Sequence, residues 1–170
     1  IALHLRWTLA LVLPAVALGA LLAALLGGLA GWRRGSRVDI GLSAANLFVY
    51  AMPHYWLAML LLFVFSFRLD WFPLGRATSG GATALPYLLD VGWHMLLPLV
   101  VITAYKATYD FLIVRGSVIS ILGEDYVLMA QAKGLSGMAV LFRHALRNAL
   151  APLVTVTAIQ FGMVLSGALL

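Results

Sequence analysis

Lys106 and Asp110 are the charged residues that fall inside long apolar stretches of this sequence, and they stand four residues apart. On a helix that spacing puts them on one face, where they can pair. Charges at membrane depth face a protein interior or a water-filled cavity. The pair therefore either lines a solute route or neutralises itself against a neighbouring helix, the second being the favoured reading. His54, within Met52-Pro-His-Tyr-Trp56, stands beside a proline that can kink a helix. It is read first as a hydrogen-bonded member of a helix bundle and second as part of the same route. His4, His94 and His144 are scattered, and no HExxH spacing occurs, so no metal site is expected. Gly27-Gly28 and Gly80-Gly81 lack a phosphate-loop pattern and no Walker lysine motif occurs, so the chain is not expected to bind ATP in that manner. The sequence has no cysteine, which excludes a disulfide framework, a thiolate metal site and a cysteine nucleophile. With no nucleophile–base or paired-acid set in the apolar stretches, no catalytic residue is assigned and an enzyme is not expected.

The elements that must position these residues follow from composition. Of 170 residues, 64% are hydrophobic and 10% charged, with a mean hydropathy of +1.03. Soluble domains hold about 45–50% apolar and about 25% charged residues. A water-soluble globule, a disordered tail and a fibrous repeat are all excluded. A bilayer core of about 30 Å takes about 20 helical residues. Stretches of that length lie at about 7–32, 40–67, 91–114 and 149–170, so the fold class expected is an all-helical, polytopic membrane protein with four spans. Trp7 and Trp32 bracket the first as in an interfacial belt, and Pro14, Gly19, Gly27 and Gly28 within it suit close helix packing in lipid. No basic leader with a cleavage site precedes it, so it is not read as a signal peptide. Ile1 is not an initiator methionine and Leu170 stops within an apolar run, so a larger membrane domain is expected.

Orientation follows from the basic residues. Arg33, Arg34, Arg37, Arg115, Lys133, Arg143 and Arg147 fall on one set of alternating loops, against Arg6, Arg68 and Arg76 on the other. That asymmetry puts 33–39 and 115–148 in the cytoplasm, explains the net charge of +5 without nucleic acid, and turns the loop 68–90 outward. Pro73, Gly75, Gly80, Gly81 and Pro86 mark that outer loop as an irregular connection.

The longest of the segments expected in the cytoplasm runs from 115 to 148. Glu124 and Asp125 suit the positive end of a helix, and Tyr126–Lys133 holds no breaker. Gly134 fits a left-handed cap and Ser136 the N-cap of a second, short helix. That helix should carry Met138, Leu141, Phe142 and Ala145 on one side, with Arg143 and Arg147 flanking, before Pro152 opens the next span in a first helical turn. By its residues alone it is a membrane-surface helix, a passive connector, or a helix that docks a partner.

The run Glu124-Asp-Tyr-Val-Leu-Met-Ala-Gln-Ala-Lys-Gly-Leu-Ser136, followed by Leu141-Phe-Arg-His-Ala-Leu-Arg-Asn-Ala-Leu-Ala-Pro152, closely resembles the cytoplasmic signature of ATP-binding-cassette importer permeases of the dipeptide/oligopeptide/nickel group. Arg115-Gly-Ser117, Leu122-Gly123, His94 with Leu97-Pro98, Arg33-Arg-Gly-Ser36 with Asp39, and Arg68-Leu-Asp-Trp-Phe-Pro73 resemble the same group and its first-listed permease. The resemblance implies a type I importer permease fold with further flanking spans, in a prokaryotic inner membrane. It implies that Ala130, Ala132, Lys133, Gly134, Leu135, Ser136, Leu141, Phe142, Arg143, His144, Leu146 and Arg147 couple the chain to an ATPase. It further implies ATPase subunits, a second homologous permease and an extracytoplasmic solute-binding protein as partners, with lipid around the spans. No cofactor is expected on this chain; ATP and magnesium belong to the ATPases. Leu128, Gln131 and Gly137-Met138 stand where relatives often carry basic residues, which would alter partner choice more than docking geometry. Peptides are the leading solutes by resemblance, with nickel complexes or other small solutes open. The alternative is a secondary transporter or channel that works without an ATPase.

Overall fold

The computed structural model describes residues 2–79 and 84–169, and the side chains of 6–79 and 87–162. Among the described residues every regular element is a helix: α1 (Ala2–Trp32), α2 (Arg37–Ala51), α3 (His54–Leu61), α4 (Ala84–Ile121), α5 (Asp125–Ala132), α6 (Gly137–Val140) and α7 (Arg147–Leu169). Two segments of wider, π-helical pitch, Leu62–Arg68 and Leu141–Leu146, continue α3 and join α6 to α7. At about 1.5 Å per residue the 31-residue α1 and the 38-residue α4 reach about 46 and 57 Å, ample for a bilayer core. Both are apolar enough to cross one. Leu21, Leu47, Phe48, Met59 and Leu89 are exposed, as side chains facing lipid or further protein are.

The central contact is α1 against α4. Ala15, Gly19, Ala23, Gly27 and Gly31 recur every fourth residue and give α1 a face without bulk. A Cβ on Gly27 would stand 2.9 Å from the Phe111 carbonyl oxygen, and one on Gly31 2.9 Å from that of Arg115. With no hydrophobic drive between helices in lipid, such close backbone approach supplies the dispersion that holds them. Gly19 faces Lys106 and Gly31 faces Val118, so the two helices run parallel and end together. The Arg33–Ser36 turn and the segment after Ile121 therefore share one end of the molecule.

The uncharged stretch 40–67 is not a single straight span. Pro53 has no N–H to donate and drives Met52 into extended backbone (φ −78°, ψ 137°), which ends α2. The chain turns by 95° before α3 continues, and this bent pair counts as a third crossing only if taken as one broken span. Gly80 and Gly81 of the expected outer turn lie outside the described residues, as do Leu170 and the side chains of His4 and Pro86. The Pro86 backbone already belongs to α4, so the outer connection is shorter than the expected 68–90. Phe65 packs near Trp71 and Phe72, and Phe72 stacks on Trp93 with centroids 4.6 Å apart, folding this connection back on α4.

Two further expectations change at the other end. The helix that carries the third apolar stretch, α4, runs on unbroken past Val114 to Ile121 and holds Arg115 within it. Ser136 does begin a helix, accepting from the Ala139 N–H at 3.4 Å. That helix is not short, however: it continues through Leu141–Leu146 into α7. Pro152 accordingly lies inside α7 rather than opening a new helix. The fourth apolar stretch coincides with α7, whose side chains beyond Gly162 are outside the described residues.

Candidate functional site

The segment after α4 is built from two capped helices. α5 ends in a Schellman motif: Gly134 N–H donates to the Gln131 carbonyl at 2.9 Å and Leu135 N–H to that of Ala130 at 3.4 Å. Gly134 holds φ +80°, the left-handed conformation this cap requires. Leu135 turns back onto a small core of Val127, Ala130 and Val140. A larger core joins Val114 and Val118 of α4 to Leu141, Ala145, Leu146, Ala149 and Leu153. Trp32 packs against both cores. A Cβ on Gly137 would meet the Trp32 ring at 2.9 Å, so glycine there lets the second helix start flush against the end of α1. Asn148 donates to the Tyr126 hydroxyl at 2.8 Å and ties α7 to α5.

The twelve residues named for this segment divide into two groups in the structure. Ala130, Leu141 and Leu146 are buried, and Leu135 and His144 are partly so. Ala132, Lys133, Gly134, Ser136, Phe142, Arg143 and Arg147 are exposed. The expected single apolar face is split: Leu141 and Ala145 turn inward, while Met138 and Phe142 are 55% and 51% exposed. The inward face is used up by α1 and α4. The outward one presents Met138 and Phe142 beside Arg143 and Arg147, an apolar and basic surface on a firmly anchored helix.

The second region forms where α2 breaks. The Met52 carbonyl, freed by the bend, accepts a hydrogen bond from the Tyr105 hydroxyl. The Tyr105 ring stacks on His54, with centroids 3.7 Å apart and planes at 21°. Lys106, the next residue of α4, is 8% exposed, and Asp110 one turn onward is fully buried. The Lys106 ammonium donates to Asp110 Oδ1 at 2.8 Å and to Thr157 Oγ1 of α7 at 2.9 Å, and stands 2.6 Å from Asp110 Oδ2. Pairing plus a hydroxyl is what a buried charge needs to be tolerated. A cavity of about 580 Å³ lies among α1, α3, α4 and α7, with His54, Tyr105, Lys106, Tyr109 and Gln160 among its walls. His54 and Lys106 thus share a cavity wall, while Asp110 is not on it. Irregular backbone at membrane depth is sustained where it lines such a cavity.

Sequence reasoning missed several partners. Tyr105 and Thr157 are ordinary residues of apolar helices until the fold pairs them. Asp39 accepts from Arg115 Nε at 2.6 Å and Nη2 at 2.8 Å, and also from Gly35 N–H and Ser43. Ser36 in turn accepts from the Asp39 N–H at 3.3 Å. The spacing of Ser36 and Asp39 signals a helix start. Nothing in the spacing of Asp39 and Arg115 signals their pairing.

The sequence profile of the family described as binding-protein-dependent transport system inner membrane component matches residues 19–170. The di/tripeptide transport system permease protein DppB of Pseudomonas aeruginosa is 36% identical, over 96% of this chain and 53% of its own length. The dipeptide transport system permease protein DppB of Escherichia coli K12 is 34% identical, over 85% of this chain and 48% of its own. The chain spans about half the length of these relatives.

Proposed function

Since the chain belongs to the family of binding-protein-dependent transport system inner membrane components, we propose that it is the ATPase-coupled part of a peptide-importer permease. In this reading it sits in a prokaryotic inner membrane with the basic ends of α1 and α4 toward the cytoplasm. ATPase subunits bind ATP and magnesium and dock on the exposed face of the second cytoplasmic helix. A second permease completes the pore and an extracytoplasmic binding protein delivers di- or oligopeptides.

The observation that carries the proposal is the split of that helix into two faces. Leu141 and Leu146 are held by the core of α4 and α7, whereas Phe142, beside α1, and Arg143 on the same turns stay exposed. An apolar anchor beside a guanidinium is the usual content of a docking hot spot. Closure of two ATPases then moves a helix that cannot shift without α1 and α4. Alternating access of helix bundles about a central cavity completes the cycle. His54 and Lys106, on the wall of the cavity beside the broken helix, are the candidates for the solute route. Similarity to two permeases named for dipeptide and di/tripeptide transport supports peptides as the solute.

The test is purification of the full-length chain from native membranes in mild detergent, with identification of its companions. Recovery of subunits carrying Walker motifs, lost on Phe142→Ala/Arg143→Glu with the permease itself retained, is expected. A chain that arrives alone and reconstitutes flux without ATP would overturn the proposal in favour of a channel or secondary transporter.

A further inference from the structure

The bent α2–α3 arm is attached to α4 differently from α1. Three polar contacts hold it: the bidentate pair of Asp39 with Arg115, the Asn46 amide donating to the Thr108 carbonyl at 3.2 Å, and Tyr105 on the Met52 carbonyl. As the position rises along α2 it falls along α4, so the contacts form an antiparallel row. Beside Asn46 and Thr108 lies an open groove of about 220 Å³ bordered by α1. The α1–α4 contact has no such opening, since its glycines leave no room even for a methyl group.

The end of this row meets the segment proposed to couple. Val114 and Val118, which flank Arg115 on α4, are fully buried against Leu141, Ala145 and Leu146. Arg115 grips Asp39 from the same turn. Asp39 is itself 3% exposed and bound to the Gly35 N–H and Ser43 hydroxyl, so the pair joins three segments: the α1–α2 turn, α2 and α4. Charge-assisted, two-pronged bonds of this kind fix orientation as well as distance. The far end of the arm is the bend at Met52–Pro53, beside His54 and the larger cavity.

We infer that Asp39 and Arg115 are positioning residues for transport: they transmit displacement of the second cytoplasmic helix to the α2–α3 arm and thus to the cavity at its bend. The inference rests on the coupling role proposed above. Closely packed elements move together, whereas an arm that borders an open groove leans more heavily on the directional contacts that fasten it. Asp39–Arg115 is the fastening nearest the driven helix.

The experiment uses the full-length permease with its partner permease and ATPases in proteoliposomes, supplied with the binding protein and an isotope-labelled pool of di- and tripeptides. Uptake and ATP hydrolysis are measured on the same vesicles, together with the amount of assembled complex. Asp39→Asn and Arg115→Gln are expected to keep hydrolysis while uptake per ATP falls about tenfold, a typical coupling between sites. Arg115→Lys, which keeps the charge and loses the fork, should fall between. Reversal of the pair, Asp39→Arg with Arg115→Asp, should recover part of the loss. An unchanged ratio in the single variants would overturn the inference while leaving the importer intact. So would uptake and hydrolysis that fall together with the amount of complex, which is the mark of a purely structural pair. Wild-type vesicles with no ATP-dependent uptake overturn the importer reading and this inference with it.

Discussion

Gly27 and Gly28 are neighbours in sequence and opposites in surroundings, and the packing of α1 on α4 predicts opposite outcomes for the same substitution. A Cβ on Gly27 would lie 2.9 Å from the Phe111 carbonyl oxygen, 3.2 Å from Val114 Cβ and 3.3 Å from the Arg115 nitrogen. Two of those three atoms are backbone, so the helices themselves must separate. A Cβ on Gly28 would meet only the tip of Leu146, at 3.1 Å for Cδ1, and a methyl tip can swing aside. Alanine is preferred to glycine in a helix interior by about 0.8–1.0 kcal/mol at both positions. Overpacking a close contact costs about 1–3 kcal/mol and applies only at Gly27. Gly28→Ala should therefore be neutral or stabilising by up to about 1 kcal/mol. Gly27→Ala should lie about 1–3 kcal/mol below it, since the helix preference cancels between them. The comparison needs the two purified full-length variants in one detergent, unfolded by SDS titration and followed by circular dichroism. Gly27→Ala that equals or exceeds Gly28→Ala in stability would refute the close-packed α1–α4 interface.

Two further outcomes follow from the buried polar contacts. Lys106→Ala strands the buried Asp110 carboxylate and should destabilise by about 3–5 kcal/mol, with the double variant Lys106→Ala/Asp110→Ala recovering a large part; SDS unfolding of the three chains checks it, and peptide uptake retained by the double variant at normal membrane levels would remove the pair from the solute route. Tyr105→Phe leaves the Met52 carbonyl without its donor while keeping the ring on His54, so a loss of about 1–3 kcal/mol is expected. A thermal midpoint in detergent indistinguishable from wild type would show that the bend does not depend on that hydroxyl.

Much of this protein is set by residue order alone. Uncharged runs of bilayer length between basic loops dictate membrane helices, because a backbone in lipid must satisfy its own hydrogen bonds. Gly134 three residues after Gln131, followed by Ser136, dictates a helix end and a helix start, because those caps are local chemistry. The spacing of Lys106 and Asp110 likewise dictates their pairing. Other features were decided only by the assembled chain. Pro53 makes a bend possible, but its 95° angle is held by Tyr105 and His54 across a separation of some fifty residues. The apolar run ends at Val114, yet α4 continues to Ile121, with Val118 packed in one core with Leu141. Periodicity gives Met138, Leu141, Phe142 and Ala145 a common apolar character without saying which of them the core takes. That choice was made by the Trp32 ring seated on Gly137 and by the α4 face available to Leu141, both contacts between segments distant in sequence. Asp39 and Arg115 are the extreme case: each reads as an ordinary loop charge, and only the parallel run of α1 and α4, with α2 folded back between their ends, brings them to 2.6 Å.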